Sequence, residues 1–444
     1  MSTAASEILD YSPPPPRAGT LGRLGRNVWA LGDQVLISGT NFLTGVLTAR
    51  ALGEAEFGTF AIVFAVLLFA NILQSTLVTQ AHNVLAATRG GRDYDRFTSS
   101  TAVGQAILLA LEVALIVPIV LVAHLNDWAS AGLWLALLPA TVFWQLQEFA
   151  RRVLYTERRH AEAFGNDLIA FGGQAALLVM LFVYGQRIGV PLTGATALYA
   201  LAIGSAAGAV VGLWRIRENL FRGFDWRDLK ESWHFGKWLT GGELMAWCYS
   251  LHMQIWWAAL LLGVTASANL RAAQILFGPM RLISFFLGTV LPIRFARTLH
   301  AHGAPALRGQ VASVLVLLAP TAGVYCGLLA LFPELMLKLI FGSQYADANA
   351  AWVLRLFAVS AFLGYVQMVI VAALTAARLT RYVFLGTVWG CIIALVASPI
   401  LIKHFGASGA IFSIIVTTLV VTVLQTWAYS RNLNSTAGAA GEGA

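Results

Sequence analysis

A few ionisable side chains stand inside long apolar runs, where no water would meet them: Asp33, Glu112, Glu243, Arg271, Arg281 and Arg355, with Arg50 closing the first run. Placing such a group in hydrocarbon costs about 3 kcal/mol on insertion scales, so each is a functional hypothesis by default. The cations suit an anionic headgroup. Arg271 and Arg281 are ten residues apart, which on a helix is about 15 Å of rise and roughly 80° of rotation. That spacing could hand a negative charge along one cavity. The bland alternative is snorkelling to the interface, or for Arg355 an ion pair with Glu334 or Asp347.

The carboxylates suit a different task. Asp33 is followed by Gln34, and Asn41 lies eight residues on, close to the same helical face. Glu243 occupies the matching region of the seventh run. Facing each other across two halves, Asp33 and Glu243 could bind a proton or a sodium ion, or neutralise cavity arginines in one conformation. Otherwise each is a helix-pairing partner, Glu243 with Lys237 for example. Glu112, midway through the third run, must be protonated or paired.

The elements that would position these groups are apolar segments near 28–49, 57–80, 101–122, 131–150, 166–184, 194–213, 236–262, 270–290, 309–330, 350–373, 382–401 and 407–428. Each approaches the ~20 residues needed to cross a bilayer. In lipid the backbone must satisfy its own polar groups, so these runs are read as helices, and the period-two pattern of a membrane barrel is absent. Composition agrees: 58% of residues are hydrophobic, 11% are charged, and mean hydropathy is +0.72.

Basic residues sort by side. The N-terminus, the loops after even-numbered runs and the C-terminus hold 21 of the 29 Lys and Arg; the odd loops hold four, Arg50, Arg187, Lys338 and Lys403. The positive-inside rule then places both termini in the cytoplasm. The net charge of +8 reads as topology and contact with anionic lipid rather than with nucleic acid. Residues 1–27, with the Pro13–Pro16 run, lack the apolar core of a signal peptide and read as a disordered tail and basic segment. The linker 214–235 separates a first six-helix bundle, 28–213, from a second, 236–430. Residues 431–444 read as a second disordered tail. Cys248, Cys326 and Cys391 all fall in apolar runs and suggest packing, and no histidine pair has ligand spacing.

The expected fold class is therefore all-α: a polytopic membrane protein of twelve transmembrane helices in two pseudo-symmetric six-helix bundles with a central cleft. Weak echoes between the halves, such as Ala51-Leu52-Gly53 and Leu261-Leu262-Gly263, suit a parallel repeat and alternating access. A nucleotide-binding loop is absent. The longest odd-side stretch, 331–349, carries too few charged residues for a membrane transferase, which argues against an enzyme.

Three segments resemble the multidrug/oligosaccharidyl-lipid/polysaccharide flippase superfamily, and more closely its polysaccharide-exporter branch. They are Arg50-Ala51-Leu52-Gly53-Glu54-Ala55-Glu56-Phe57-Gly58, Asn269-Leu270-Arg271-Ala272-Ala273-Gln274 and Phe341-Gly342-Ser343-Gln344-Tyr345-Ala346-Asp347-Ala348. The second departs from the family pattern, lacking its tyrosine and placing Arg before the Ala pair.

The resemblance implies translocation of a polyprenyl-pyrophosphate-linked oligosaccharide from the cytoplasmic to the periplasmic leaflet of a bacterial inner membrane, for O-antigen, capsule or exopolysaccharide synthesis. A pyrophosphate and a glycan cannot shed their water partners into bare hydrocarbon. Arg271, Arg281, Arg355 and Arg50 would then receive the headgroup, with Arg50 read chiefly as a gate residue. Asn71 and Gln74, in a polar line on the second run continued by Gln80, His82 and Asn83, would meet sugar hydroxyls, and Asn41 on the first run is a further substrate-binding candidate. Trp247 and Trp256, beside Tyr249 and Trp257, could stack on sugar rings, although such residues also pack or anchor at interfaces. Asp33, Glu243 and Glu112 would couple transport to a proton or sodium ion. A tightly bound cofactor or metal is not expected. The glycan lipid, bulk membrane lipid and transient contacts with polymerase and glycosyltransferases are the expected partners of a monomer. The rival reading is an ion-coupled antiporter for drugs or organic cations, which would want an acidic cavity.

Overall fold

The computed structural model of the chain describes residues 20–441, apart from 281–283, 285, 286, 289 and 346. Arg281 lies outside the described residues, as do most of the N-terminal tail and the last three residues. The described residues form helices and no strands.

The first half comprises α1 (Thr20–Ala51), α2 (Glu54–Gln74), α3 (Gln80–Leu85), α4 (Gly91–Leu125), α5 (Ala131–Thr156), α6 (His160–Asp167), α7 (Gly173–Tyr184) and α8 (Gly194–Arg215). A π turn, Ser75–Thr79, joins α2 to α3, and another, Leu168–Gly172, joins α6 to α7. Each pair thus makes one span. The second half comprises α9 (Trp226–Cys248), α10 (Leu251–Leu262), α11 (Val264–Leu276), α12 (Leu291–Leu331), α13 (Pro333–Phe341), α14 (Ala348–Ala376), α15 (Thr380–Phe405) and α16 (Ala407–Gly441).

Local chemistry sets the breaks. Thr193 and Thr196 form a capping box at the start of α8. Asp225, Ser250 and Asp347 cap α9, α10 and α14 by accepting backbone N–H groups. Gly303 interrupts α12 with φ 76° and ψ −174°, a backbone state that strains any side-chain-bearing residue, so this long run turns between the eighth and ninth spans. The last span continues to Gly441 through residues that composition reads as tail; its Ala-rich sequence tolerates helix, and Asn432 Nδ2 donates to the Ala428 carbonyl at 2.7 Å.

Eight helices among the described residues are long and apolar enough to cross a membrane, and the chain is a multi-pass membrane protein. The first, fourth, seventh and eighth expected spans fall outside those eight. The first, fourth and seventh carry polar groups in or beside their apolar stretch, Asp33 on α1, Gln145 and Glu148 on α5 and Glu243 on α9, and the eighth is a helix of only 13 residues, Val264–Leu276.

Within the first half, α8 lies close against α5 and the α6–α7 span. Gly204, Gly208 and Gly212 recur one turn apart, and a Cβ at each would press on Ala170, Gln174, Gln147 or Ala150. Small residues at this spacing let helices approach in a membrane without a hydrophobic driving force. The bundles meet where α11 and α10 pack on α2.

Candidate functional site at the seam between the bundles

The seam collects the groups that could bind a ligand. Arg271 sits on α11 with its guanidinium carbon 4.7 Å from the centre of the Phe64 ring of α2. Its Nη1 donates to Gln274 Oε1 at 2.6 Å, and Gln274 Nε2 lies 3.3 Å from His252 Nε2 on α10. The imidazole stacks on Trp247, with centroids 4.9 Å apart and planes 12° from parallel. Trp247 and Trp256 each meet Phe69 of α2, at 5.4 and 6.0 Å, and Trp256 Nε1 donates to the Ile62 carbonyl at 3.3 Å. Trp247 is buried, and its indole N–H has no partner among the described residues. A cation, two further hydrogen-bonding side chains and an aromatic floor are thus drawn from both halves. Sequence reasoning named Arg271, Trp247 and Trp256. It missed His252, Gln274, Phe64 and Phe69, although Gln274 and His252 are polar residues inside apolar runs and could have been flagged on that ground.

The odd-loop side is closed by contacts between the halves. Arg50 donates from Nε to the Ile340 carbonyl and from Nη2 to that of Leu339, both at 2.6 Å, capping the end of α13. Gln344 Nε2 returns the bond to the Ala49 carbonyl at 2.7 Å. The Phe57 and Tyr345 rings meet edge-on at 5.8 Å, both fully buried. A Cβ on Gly58 would overlap the Val264 carbonyl. Two of the three segments singled out in the sequence therefore meet in one clasp.

Two buried networks lie inside the first bundle. In one, Gln145 Nε2 donates to Glu112 Oε2 at 2.6 Å, Gln105 Nε2 donates to Gln145 Oε1 at 3.0 Å, and Gln74 Nε2 donates to Gln105 Oε1 at 3.0 Å. Glu112 Oε1 has no partner among the described residues. In the other, Arg151 reaches Asp33 at 2.5 Å, Asp167 at 2.6 Å and Glu148 at 3.0 Å, while the Tyr155 hydroxyl donates to Asp33 at 2.5 Å. Asp167 and Gln74 each sit immediately before a π turn, a local widening that often marks functional positions in helices.

These networks change several expectations. Asp33 does not face Glu243 across the bundles; its carboxylate is held inside the first bundle by Arg151 and Tyr155. Glu243 is exposed, and neither Lys237 nor any other described group forms an ion pair with it. The polar line on the second span does not form a lining surface. Gln74 and His82 are fully buried in the first bundle, His82 beside Thr98 at 3.1 Å, and Asn83 accepts from Thr156 at 3.0 Å. Asn41 and Asn71 are half-buried and carry no side-chain hydrogen bond among the described residues. Arg355 pairs with Glu334 at 3.1 Å and donates to the Ala330 carbonyl at 3.2 Å, away from the seam. An apolar cavity of about 540 Å³, lined by Pro279, Met280, Pro320 and Tyr325 among others, is likewise separate from these groups.

On the even-loop side, Asp228 of the linker accepts from Arg89 at 2.9 Å, Arg96 at 3.2 Å and Ser100 at 3.1 Å. Burial pushes its carboxyl upward, but those hydrogen bonds outweigh it and hold it below the usual aspartate range.

Solved structures of the same shape are transporters. An inward-facing multidrug resistance MATE family transporter of the MOP superfamily superposes with TM-score 0.71 and 12% identity, over 90% of this chain and 95% of that one. The chain shares its twelve-helix, two-bundle fold. The lipid II flippase MurJ in an inward closed conformation gives TM-score 0.61 and 12% identity, over 92% of this chain and 87% of that one. An outward-facing MATE family transporter gives TM-score 0.60 and 13% identity, over 94% and 97%. No protein-family model and no curated sequence matches the chain.

Proposed function

We propose that the protein is a flippase that moves a polyprenyl-pyrophosphate-linked oligosaccharide across a bacterial inner membrane by alternating access, with both termini cytoplasmic. The observation that carries this reading is the sign of the seam. Arg271 stands there with further hydrogen-bonding side chains and aromatic faces, whereas Asp33, Glu112, Glu148 and Asp167 are turned into the first bundle and engaged by Arg151 or Gln145. A pyrophosphate needs a cation and hydrogen-bond donors once its water is removed. The sugars need flat faces and amides, and the polyprenyl tail can stay in lipid.

The rival is a cation antiporter, which the MATE-like fold and the exposed Glu243 keep in view. Mass spectrometry of lipids retained by protein purified in mild detergent separates the two readings. A polyprenyl-pyrophosphate glycan retained by wild type and depleted in Arg271→Ala supports the flippase. Retention that does not depend on Arg271, or organic cations lost with Glu243→Gln, moves the assignment to the antiporter.

A further inference from the structure

We propose that the outer face of the first turns of α9 is a docking strip for anionic phospholipid headgroups, built from Arg227, Lys230 and Lys237 with Trp226 and Trp233. Trp233 is 14 residues before Trp247 of the seam, about 20 Å along the helix. The strip is therefore a separate surface, and it stands whichever cargo the seam carries.

Helical spacing gathers these residues on one side. Trp226, Lys230, Trp233 and Lys237 follow one another at steps of four, three and four, so their directions fall within about 60° of each other. Arg227 stands on the shoulder of that face. Asp228, Ser232 and Gly236 repeat on the opposite side, and all three are buried. There Ser100 donates to Asp228 at 3.1 Å, and a Cβ on Gly236 would press on the Thr76 carbonyl. One face is thus committed to the first bundle and the other is turned away from it. On the outer face Trp226 is 66% exposed and Trp233 58%. Phe221 and Phe224 of the linker are exposed beside them, the Phe224 ring 6.3 Å from that of Trp226.

Charge is sorted across the same helix. The acids turn inward: Asp228 meets Arg89 and Arg96, Glu231 meets Arg89 at 2.7 Å, and Asp225 caps the helix. Glu218 lies eight residues before Trp226, on the linker. The bases turn outward, and Arg227, Lys230 and Lys237 form no ion pair among the described residues, whereas Arg89, Arg96, Arg151, Arg152 and Arg159 are all held by carboxylates. Lys237 lies only against the ring of Trp238, 5.5 Å away. Three cations without counter-ions call for an anion, and the exposed indoles between them say where it sits, because tryptophan concentrates at the headgroup level of a membrane. Depth agrees. Ser100, the partner of Asp228, immediately precedes the apolar run 101–122, so the start of α9 is level with the end of that span. Lys237 is seven residues deeper than Lys230, about 10 Å, within reach of the interface for a snorkelling lysine.

The test reconstitutes the full-length protein in vesicles of equal parts phosphatidylglycerol and phosphatidylcholine, extracts it in mild detergent and counts both retained lipids by mass spectrometry. Wild type should retain phosphatidylglycerol in excess. A basic group at an anionic surface is worth a factor of roughly five, so the triple variant Arg227→Gln, Lys230→Gln, Lys237→Gln should lower the ratio about fivefold or more. Arg92→Gln, Arg297→Gln, Arg381→Gln removes the same charge from exposed positions on the same side of the membrane and should leave the ratio within about twofold of wild type. The charge-conserving variant Arg227→Lys, Lys230→Arg, Lys237→Arg should keep the excess. Amide exchange across residues 226–237 places the effect: in wild type it should be slower in nanodiscs containing phosphatidylglycerol than in phosphatidylcholine alone. That comparison carries the test if the Gln variant fails to fold.

An equal fall in the strip and control variants would assign the preference to overall surface charge and overturn the inference, as would a strip variant that retains phosphatidylglycerol like wild type. Exchange slowed as much by inorganic phosphate in phosphatidylcholine nanodiscs as by phosphatidylglycerol would assign the strip to a soluble anion and overturn the lipid assignment. None of these outcomes touches the reading of the seam, whose own test is the dependence of the retained cargo on Arg271.

Discussion

Arg151 shows how far one residue can be from its sequence reading. By position it is one of a cytoplasmic cluster of basic residues that orients the chain. In the fold, α5 extends past the expected end of its span to Thr156, and Arg151 enters the bundle among Asp33, Glu148 and Asp167. Hydropathy could not reveal this, because it does not show which charged residues meet, and one of the partners, Asp33, is 118 residues away. Arg152 adds a second cation on Glu148 at 2.6 Å, so the cluster holds two guanidinium groups and three carboxyls. Full ionisation would leave one negative charge in excess in the cluster. Arg151→Met would remove the cation shared by three carboxyls and leave Asp33 and Asp167 without an ion pair, while Glu148 keeps Arg152. Removing one partner of a buried ion pair costs about 3–5 kcal/mol, so the thermal unfolding midpoint in detergent should drop by several degrees. Adding Asp167→Asn should restore part of the loss. A single Arg151→Met variant as stable as wild type would show that the cluster is hydrated rather than paired.

Pairs of elements carry the two contacts that hold the halves together. At the odd-loop side, α2 passes Val264 so closely that only glycine fits at residue 58. Gly58→Val should prevent this closure while leaving each bundle folded, because the added methyl groups meet the other half rather than their own. Spin labels at positions 53 and 343 should then read a longer distance than in wild type, with transport lost; an unchanged distance would mean the clasp can shift to absorb a side chain. At the even-loop side, the start of α9 docks on the α3–α4 corner through Asp228. A carboxyl held below its usual range stabilises the docked form above the ordinary aspartate value, and that stability is lost as pH falls through the lower, docked-state value. Amide exchange across residues 225–232 should therefore accelerate as the solution is acidified below about pH 4, the ordinary aspartate value. Asp228→Asn should show fast exchange already at neutral pH. Slow exchange in that variant would place the docking energy in packing instead.

At the scale of the molecule, the fold was legible because lipid leaves the backbone few options, and twelve apolar runs can be counted without knowing their contacts. The site was legible only in part. Arg271, Trp247 and Trp256 stand out as expensive or bulky residues in apolar runs. Whether a polar residue faces the seam or its own bundle depends on helix rotation, however, and Asp33, Gln74 and Glu112 all turned inward. Rotation is set by packing partners, which one sequence does not list. The clasp also bears on the cycle. Opening the odd-loop side breaks the two Arg50 bonds, the Gln344 bond and the Phe57–Tyr345 contact. At about 1 kcal/mol net for a hydrogen bond and a similar figure for an aromatic pair, the closed state is favoured by only a few kcal/mol. A ligand's differential affinity can supply that much. Arg50→Ala combined with Gln344→Ala should therefore tip the equilibrium without any substrate. A cysteine at Gly53, in a background lacking Cys248, Cys326 and Cys391, should react with an impermeant maleimide added from the side of the odd loops, periplasmic in the proposed orientation, faster in the double variant than in wild type, by roughly tenfold or more for a shift of about 1.4 kcal/mol or greater. Equal labelling rates would mean that the halves are held apart or together elsewhere, and that the paired motifs serve folding rather than the cycle.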